Sequence, residues 1–365
     1  MSTGLHHIGN HQACPPWVVH HQAYAISEEN LFQAVAIGDG IFVERMIHYG
    51  INVNARTITG NTAAILAAEY SQIDVLFLLM EHARADLSIA NNCGFTVMHA
   101  LAEHGHFDVM EAVGALYGAP ANEQCWDGVT PLHLAARNGH VEACRVLVEK
   151  LHVDVNTMDN EGRTALYFAA WSRNEKIVRI LLKAMASNPQ MQAKSAGHVL
   201  PIAAAFGLTT LVKDLVDKYN ADINSRDQRH KNSALMLAAN HGHLEIVKFL
   251  DQKHADLNLR NTSGSTAVML AACEGHSNVL KYFIKRSATV CIDFKAVNAW
   301  NFSAMDYARI RHADDLVHIL TGVMYGKTSQ RGHWTRNKKK SNSIKAYHGK
   351  AHHHVHHSYK AVLQK

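Results

Sequence analysis

No stretch of this 365-residue chain approaches the 18 or so consecutive apolar side chains that a membrane helix needs, although 47% of its residues are hydrophobic. A water-soluble protein with ample material for burial is expected. Charge is missing from the start: the first Asp, Glu, Lys or Arg is Glu28, so no basic region precedes an apolar segment, and a secretory signal is not expected. The six cysteines contain no CxxC pair, and Cys93, Cys125, Cys144 and Cys273 stand where small residues would serve equally well. That usage fits a reducing, intracellular compartment. Catalytic signatures are lacking too. There is no GxSxG, GxxxxGK[ST] or GxGxxG string, no HExxH and no zinc-spaced Cys/His set, so neither an enzyme nor a cofactor or metal is expected. Finally, residues 327–365 hold no Asp or Glu but ten Lys or Arg, whereas the remainder carries 26 basic and 31 acidic residues. A body of charge −5 and a tail of +10 are not expected to share one role.

What the chain does contain is a period. The stretch Gly128 to His140, GVTPLHLAARNGH, returns in near-copies along most of the sequence. Anchored on the second alanine of its pair, the copies fall at Ala68, Ala102, Ala136, Ala170, Ala204, Ala239 and Ala272, with spacings of 34, 34, 34, 34, 35 and 33. Such regularity marks a repeat array, in which length counts modules of one elongated body and not separate domains.

One plan underlies each unit. A turn at Asp127 and Gly128 leads to Thr130, a helix cap, and to Pro131, whose missing N–H has no intrahelical partner in a first turn. Leu132 to Ala136 make a short helix whose paired alanines let the next repeat come close, and Gly139 reverses the chain. Val141, Cys144, Leu147 and Val148 then share one face of a second helix. The strings TPLHLAA, NGHVEACRVLVE and DVN resemble the ankyrin-repeat family. The resemblance covers roughly residues 28–320. It implies an all-α repeat solenoid of stacked helix pairs with β-turn fingers, whose fingers and first helices form a concave face. Domain boundaries follow: an arm over 1–27 with five histidines, an array over 28–325 of seven full repeats between degenerate caps, and a disordered basic, His-rich tail over 326–365.

Departures from the plan are informative. TPLH becomes TAAI at Thr62, TVMH at Thr96, TALY at Thr164, SALM at Ser233 and TAVM at Thr266. The fifth copy departs furthest: His198 to Pro201 replace the string, Ala196 stands where glycine is usual, and Ser187, Asn188 and Pro189 precede it. An altered finger is expected there. Of the 28 histidines, His99, His133, His106, His140, His243 and His276 hold fixed places in the repeat and are read as fold requirements. The tail cluster from His352 to His357 supplies no fixed geometry for a metal.

Function is sought where the frame leaves residues free: beside the finger glycine and just before the inter-helix glycine. Tyr70, Phe95, Trp126, Arg137, Trp171, Phe206, Arg229, His230, His241 and Trp300 occupy such places. Aromatic and arginine side chains aligned on one face suit a protein-binding groove; the alternative is that some fold back on neighbouring fingers to finish the packing. The expected protein is therefore a monomeric cytoplasmic scaffold, with nuclear residence open. Lys338, Lys339 and Lys340 form a candidate targeting signal, and the basic tail is a weaker candidate for contact with nucleic acid or an anionic membrane surface. A nuclear or nucleic-acid-associated factor using that tail is the second reading. A host-directed bacterial effector is a third that the family resemblance leaves open.

Overall fold

The computed structural model describes residues 26–325, which form nine successive helix pairs. The pairs are α1 (Glu28–Ile37) with α2 (Gly40–His48), α3 (Ala63–Glu69) with α4 (Ile73–Glu81), and α5 (Val97–His104) with α6 (Phe107–Glu111). Next come α7 (Pro131–Asn138) with α8 (Val141–Arg145), α9 (Ala165–Trp171) with α10 (Glu175–Ala184), and α11 (Pro189–Ala205) with α12 (Thr209–Asp217). The last are α13 (Ala234–Asn240) with α14 (Leu244–Gln252), α15 (Ala267–Glu274) with α16 (Ser277–Arg286), and α17 (Ala304–Ile310) with α18 (Asp314–Tyr325). Helices α6 and α8 each run on through a five-residue π-helical turn. The arm before Ile26 and the tail after Tyr325, including Lys338, Lys339 and Lys340, lie outside the described residues.

Odd-numbered helices form the inner layer and even-numbered helices the outer one. Paired alanines make the inner layer tight: Ala67 and Ala68, Ala135 and Ala136, Ala169 and Ala170, and Ala271 and Ala272 are all buried. Inner helices approach one another more closely along the stack than outer helices do. A stack that is tighter on one side bends toward that side, so the inner-helix face is concave. One continuous apolar cluster runs from Leu31 to Leu320, as nearest-neighbour stacking requires.

Short inner helices need caps, because their first N–H groups have no intrahelical acceptor. Thr62, Ser233 and Thr266 accept from the N–H three residues on, at 3.3–3.4 Å. In the second and third full repeats the cap is reciprocal: the Thr96 and Thr130 N–H groups donate to Nδ1 of His99 and His133 at 3.2 and 3.0 Å. The far ring nitrogens then reach the following repeat, at Val129 O and Arg163 O, each 3.1 Å away.

The histidines that open the outer helices reach the other way. His140, His243 and His276 contact Glu103 O, Ala205 O and Asn240 O of the preceding repeat at 2.9–3.0 Å, and His106 contacts Ser71 Oγ at 2.8 Å. Gln72 and Asn174 make the same bond with their amides. These contacts explain the glycines beneath them. Gly242 has φ +76°, and a Cβ there would also stand 2.5 Å from His276 Nδ1.

The fifth full copy differs from the expected altered finger, because it has no finger at all. Helix α11 is 17 residues long and extends through the segment where the other repeats turn. Asn188 caps it by accepting from Met191 N–H at 3.1 Å, Pro189 fits its first turn, and no left-handed glycine interrupts the segment before Pro201. Pro201, interior to this helix, cannot donate to the carbonyl of Gly197. That carbonyl is instead taken by the Ser225 hydroxyl of the next repeat, at 2.6 Å.

Candidate partner-binding surface

Fingers are built by short loops that close on themselves and then on each other. Asn91 N–H donates to Phe95 O and Cys125 N–H to Val129 O, closing each hairpin around a glycine of positive φ. Between fingers, Asn92, Trp126 and Asn160 N–H donate to Thr59 O, Cys93 O and Asp127 O at 3.0 Å. After a break at α11 the series resumes with Thr262 N–H to His230 O and Ala299 N–H to Ser263 O, both 2.9 Å. Backbone bonding therefore fixes the finger row while its side chains remain available.

The free positions divide into two groups. Tyr70, Trp126 and Trp300 project into solvent, at 56%, 75% and 46% exposure. Arg229 is exposed on the finger after α11, and Arg137 is exposed with its guanidinium 3.5 Å from Glu103. The other group folds back. Phe95 lies on the His99 ring at 5.1 Å between centroids. Trp171 stacks in parallel on Tyr167 at 6.4 Å and meets Phe206 edge-on at 5.4 Å, and Arg173 sits over the Phe206 ring at 4.4 Å. His241 and His230 are half-buried, His241 being 6.3 Å from the His243 ring. Trp171 and Phe206 stand 35 residues apart, one repeat, so they are spatial neighbours; that spacing was the available signal for stacking.

Two exposed finger residues escaped the sequence reading. Ile58 is 99% exposed in the slot that Trp126 fills two repeats later, and Met158 is 50% exposed on the finger before α11. Comparing equivalent slots across the period would have found both. Titratable groups on this face are of the structural kind. Burial lowers the His99 pKa from 6.5 to about 4 and also lowers that of His133, matching rings that must keep Nδ1 as an acceptor. Burial raises the Cys144 thiol to about 12, far from a reactive thiolate. Among the described residues no group of His, Cys, Asp and Glu side chains is placed to hold a metal.

The family model for ankyrin repeats matches three times, over residues 31–114, 110–193 and 200–324. This chain belongs to the ankyrin-repeat family. The ankyrin-repeat match skips residues 194–199, within the helix that stands in place of a finger. Ankyrin repeats generally mediate protein–protein interaction and are typically binding modules without catalytic activity. Among similar proteins is Ankyrin repeat and SAM domain-containing protein 6, 46% identical over 67 residues in Rattus norvegicus and 45% in Mus musculus. Those alignments cover 18% of this chain and 8% of each relative. Alpha-latrocrustotoxin-Lt1a of Latrodectus tredecimguttatus is 39% identical over 59 residues, 16% of this chain and 4% of the toxin. The chain thus matches less than a tenth of each relative's length. No helix among the described residues is long and apolar enough to cross a membrane.

Proposed function

We propose that this ankyrin-repeat chain is an intracellular scaffold that acts as a monomer and holds a partner protein against its fingers and inner helices. One observation carries the reading: Ile58, Trp126, Met158 and Trp300 stand exposed on fingers whose backbones are each bonded to a neighbouring finger. Large apolar side chains on a rigid base lose little further entropy on binding and make effective anchors. The unpaired state of Cys93, Cys125, Cys144, Cys273 and Cys291 supports a reducing compartment.

The test is affinity capture with the full chain, identification of the retained protein by mass spectrometry, and measurement of its affinity for variants. Trp126→Ala with Trp300→Ala is expected to weaken binding by about 2 kcal/mol, roughly thirtyfold, with little change in Tm. Unchanged affinity would remove the finger face from the binding site. Trp171→Ala is the contrasting control, since it removes a stacked and half-buried ring and is expected to lower Tm.

A further inference from the structure

Loss of one finger leaves specific atoms without the partners that their counterparts have. Asn54, Asn224 and Asn258 each accept a backbone N–H from the next repeat, from Asp86, Asp256 and Asp293, at 2.9–3.0 Å. Asn156 occupies the same place before α11, and its Oδ1 is buried with no hydrogen-bond partner among the described residues. On the far side, Asn91 and Asn261 bond back to the preceding finger, at Asn61 and Asn232. Asp227 occupies that place after α11; its Oδ1 accepts from His230 N–H, but its Oδ2 is buried and unpartnered.

Asn156 borders a cleft, and Asp227 adjoins its lining in sequence at Gln228. The cleft is lined by Asn156, Tyr167, Met191, Lys194, His198 and Gln228, spanning the finger before α11, the extra turns of α11 and the finger after it. Tyr167 replaces the histidine that in two earlier repeats bonds a carbonyl of the next finger, and its hydroxyl makes no hydrogen bond among the described residues. Burial raises its pKa, with Arg163, Glu161, Asp227 and Arg229 acting on it more weakly. The hydroxyl is therefore a neutral donor on a space that is also lined by Asn156, whose Oδ1 is buried and unpartnered. The rim has a cationic excess: Lys194 and Arg163 line the cleft and the exposed Arg229 acts on Tyr167, against Glu161 and the half-buried Asp227.

We propose that this cleft is a docking slot for an acidic turn segment of a partner protein, which takes the place of the missing finger. A main-chain N–H satisfies Asn156 Oδ1, a carbonyl accepts from Tyr167, and flanking Asp or Glu side chains meet the cationic rim. The tail over 327–365 is a poor occupant, because it carries ten basic and no acidic residues and is repelled by the same rim. The slot rests on the partner-binding reading above, but it places the contact at α11 and not on Trp126 or Trp300.

The experiment pans the full chain against displayed, disulfide-closed turn peptides, half with acidic and half with basic flanks, and measures affinities of the selected peptides. The expected binders have acidic flanks, weaken with salt and shift the amide resonances of Asn156, Tyr167 and Gln228. Asn156→Leu is expected to weaken them at least tenfold while leaving the free protein as stable or more so, since an unpaired buried acceptor is replaced by an apolar isostere. Tyr167→Phe, which removes only a hydroxyl, is expected to cost severalfold and serves if the first variant misfolds. Trp126→Ala should leave these affinities unchanged. The slot is overturned by an absence of binders, by basic binders, or by binders indifferent to both slot variants. Loss with Trp126→Ala alone would overturn the slot while leaving the finger-face reading in place. A tenfold gain on deleting 327–365 would make the chain's own tail the occupant and also overturn the proposal.

Discussion

At the scale of single residues, His99 shows how a polar side chain earns a fully buried place. Nδ1 must stay unprotonated to accept from Thr96 N–H, while Nε2–H donates to Val129 O, so one neutral tautomer ties its own cap to the next finger. Protonation would destroy the acceptor and leave a charge in the core. The unfolded chain takes up this proton near pH 6.5 and the folded chain only near pH 4. Stability therefore falls as pH drops through that window, by about 3 kcal/mol from His99 at its lower end; His133 adds in the same direction. Urea unfolding at pH 7, 5.5 and 4.5 should register the loss. His99→Gln keeps a capping acceptor without a titrating ring, so it should be less stable at pH 7 but decline less on acidification.

At the scale of elements, α11 illustrates what the sequence reading could and could not reach. Alanine pairs, Thr caps and inter-helix glycines each state a local requirement, so the helix pairs and their stacking were legible residue by residue. The missing finger was visible only as disagreement with a pattern, at Ala196 and His198 to Pro201. Its replacement by helix depends on Asn188 as a cap and on Ser225, 28 residues away, as donor to the carbonyl that Pro201 leaves open. The candidate surface was legible to a similar degree as far as exposure goes. Slots free of fold duty were identified, but whether a ring projects, as at Trp126, or stacks, as at Trp171, depends on which residue lies one repeat away. The Ser225 bond makes a quantitative prediction. Ser225→Ala should cost about 1–2 kcal/mol by orphaning the Gly197 carbonyl. In a Pro201→Ala background the restored N–H supplies a partner, so the same substitution should cost clearly less. A double-mutant cycle by denaturant unfolding reads the difference, expected near 1 kcal/mol; additive effects would mean that Ser225 acts elsewhere.

At the scale of the whole molecule, stability in a stacked array is a sum of repeat and interface terms, so the array opens first where an interface is poorest. The interface between the α9–α10 and α11–α12 pairs is thinned at several levels. No finger-to-finger backbone bond crosses it, because the series stops at Asn160 and resumes at Thr262. Leu208 stands where the other full repeats have His, Gln or Asn, so the tie from the outer helix to the preceding inner helix is absent. The outer layer is joined instead by Arg179 to Asp214 at 2.8 Å and Thr210 to Glu175 at 2.8 Å. The second is an exposed hydrogen bond, and the first is a partly exposed ion pair of a kind that contributes little and is screened by salt. The inner helices α9 and α11 still pack, so the interface holds under native conditions but is the first to yield. Hydrogen exchange read by mass spectrometry in increasing urea should therefore resolve two blocks, residues 26–187 and 188–325, losing protection at different concentrations. Added salt should widen their separation by weakening the Arg179 and Asp214 link, and Arg179→Ala should do so without salt. Exchange that rises together along the whole array, or that fails first at a terminal pair alone, would refute a boundary at α11.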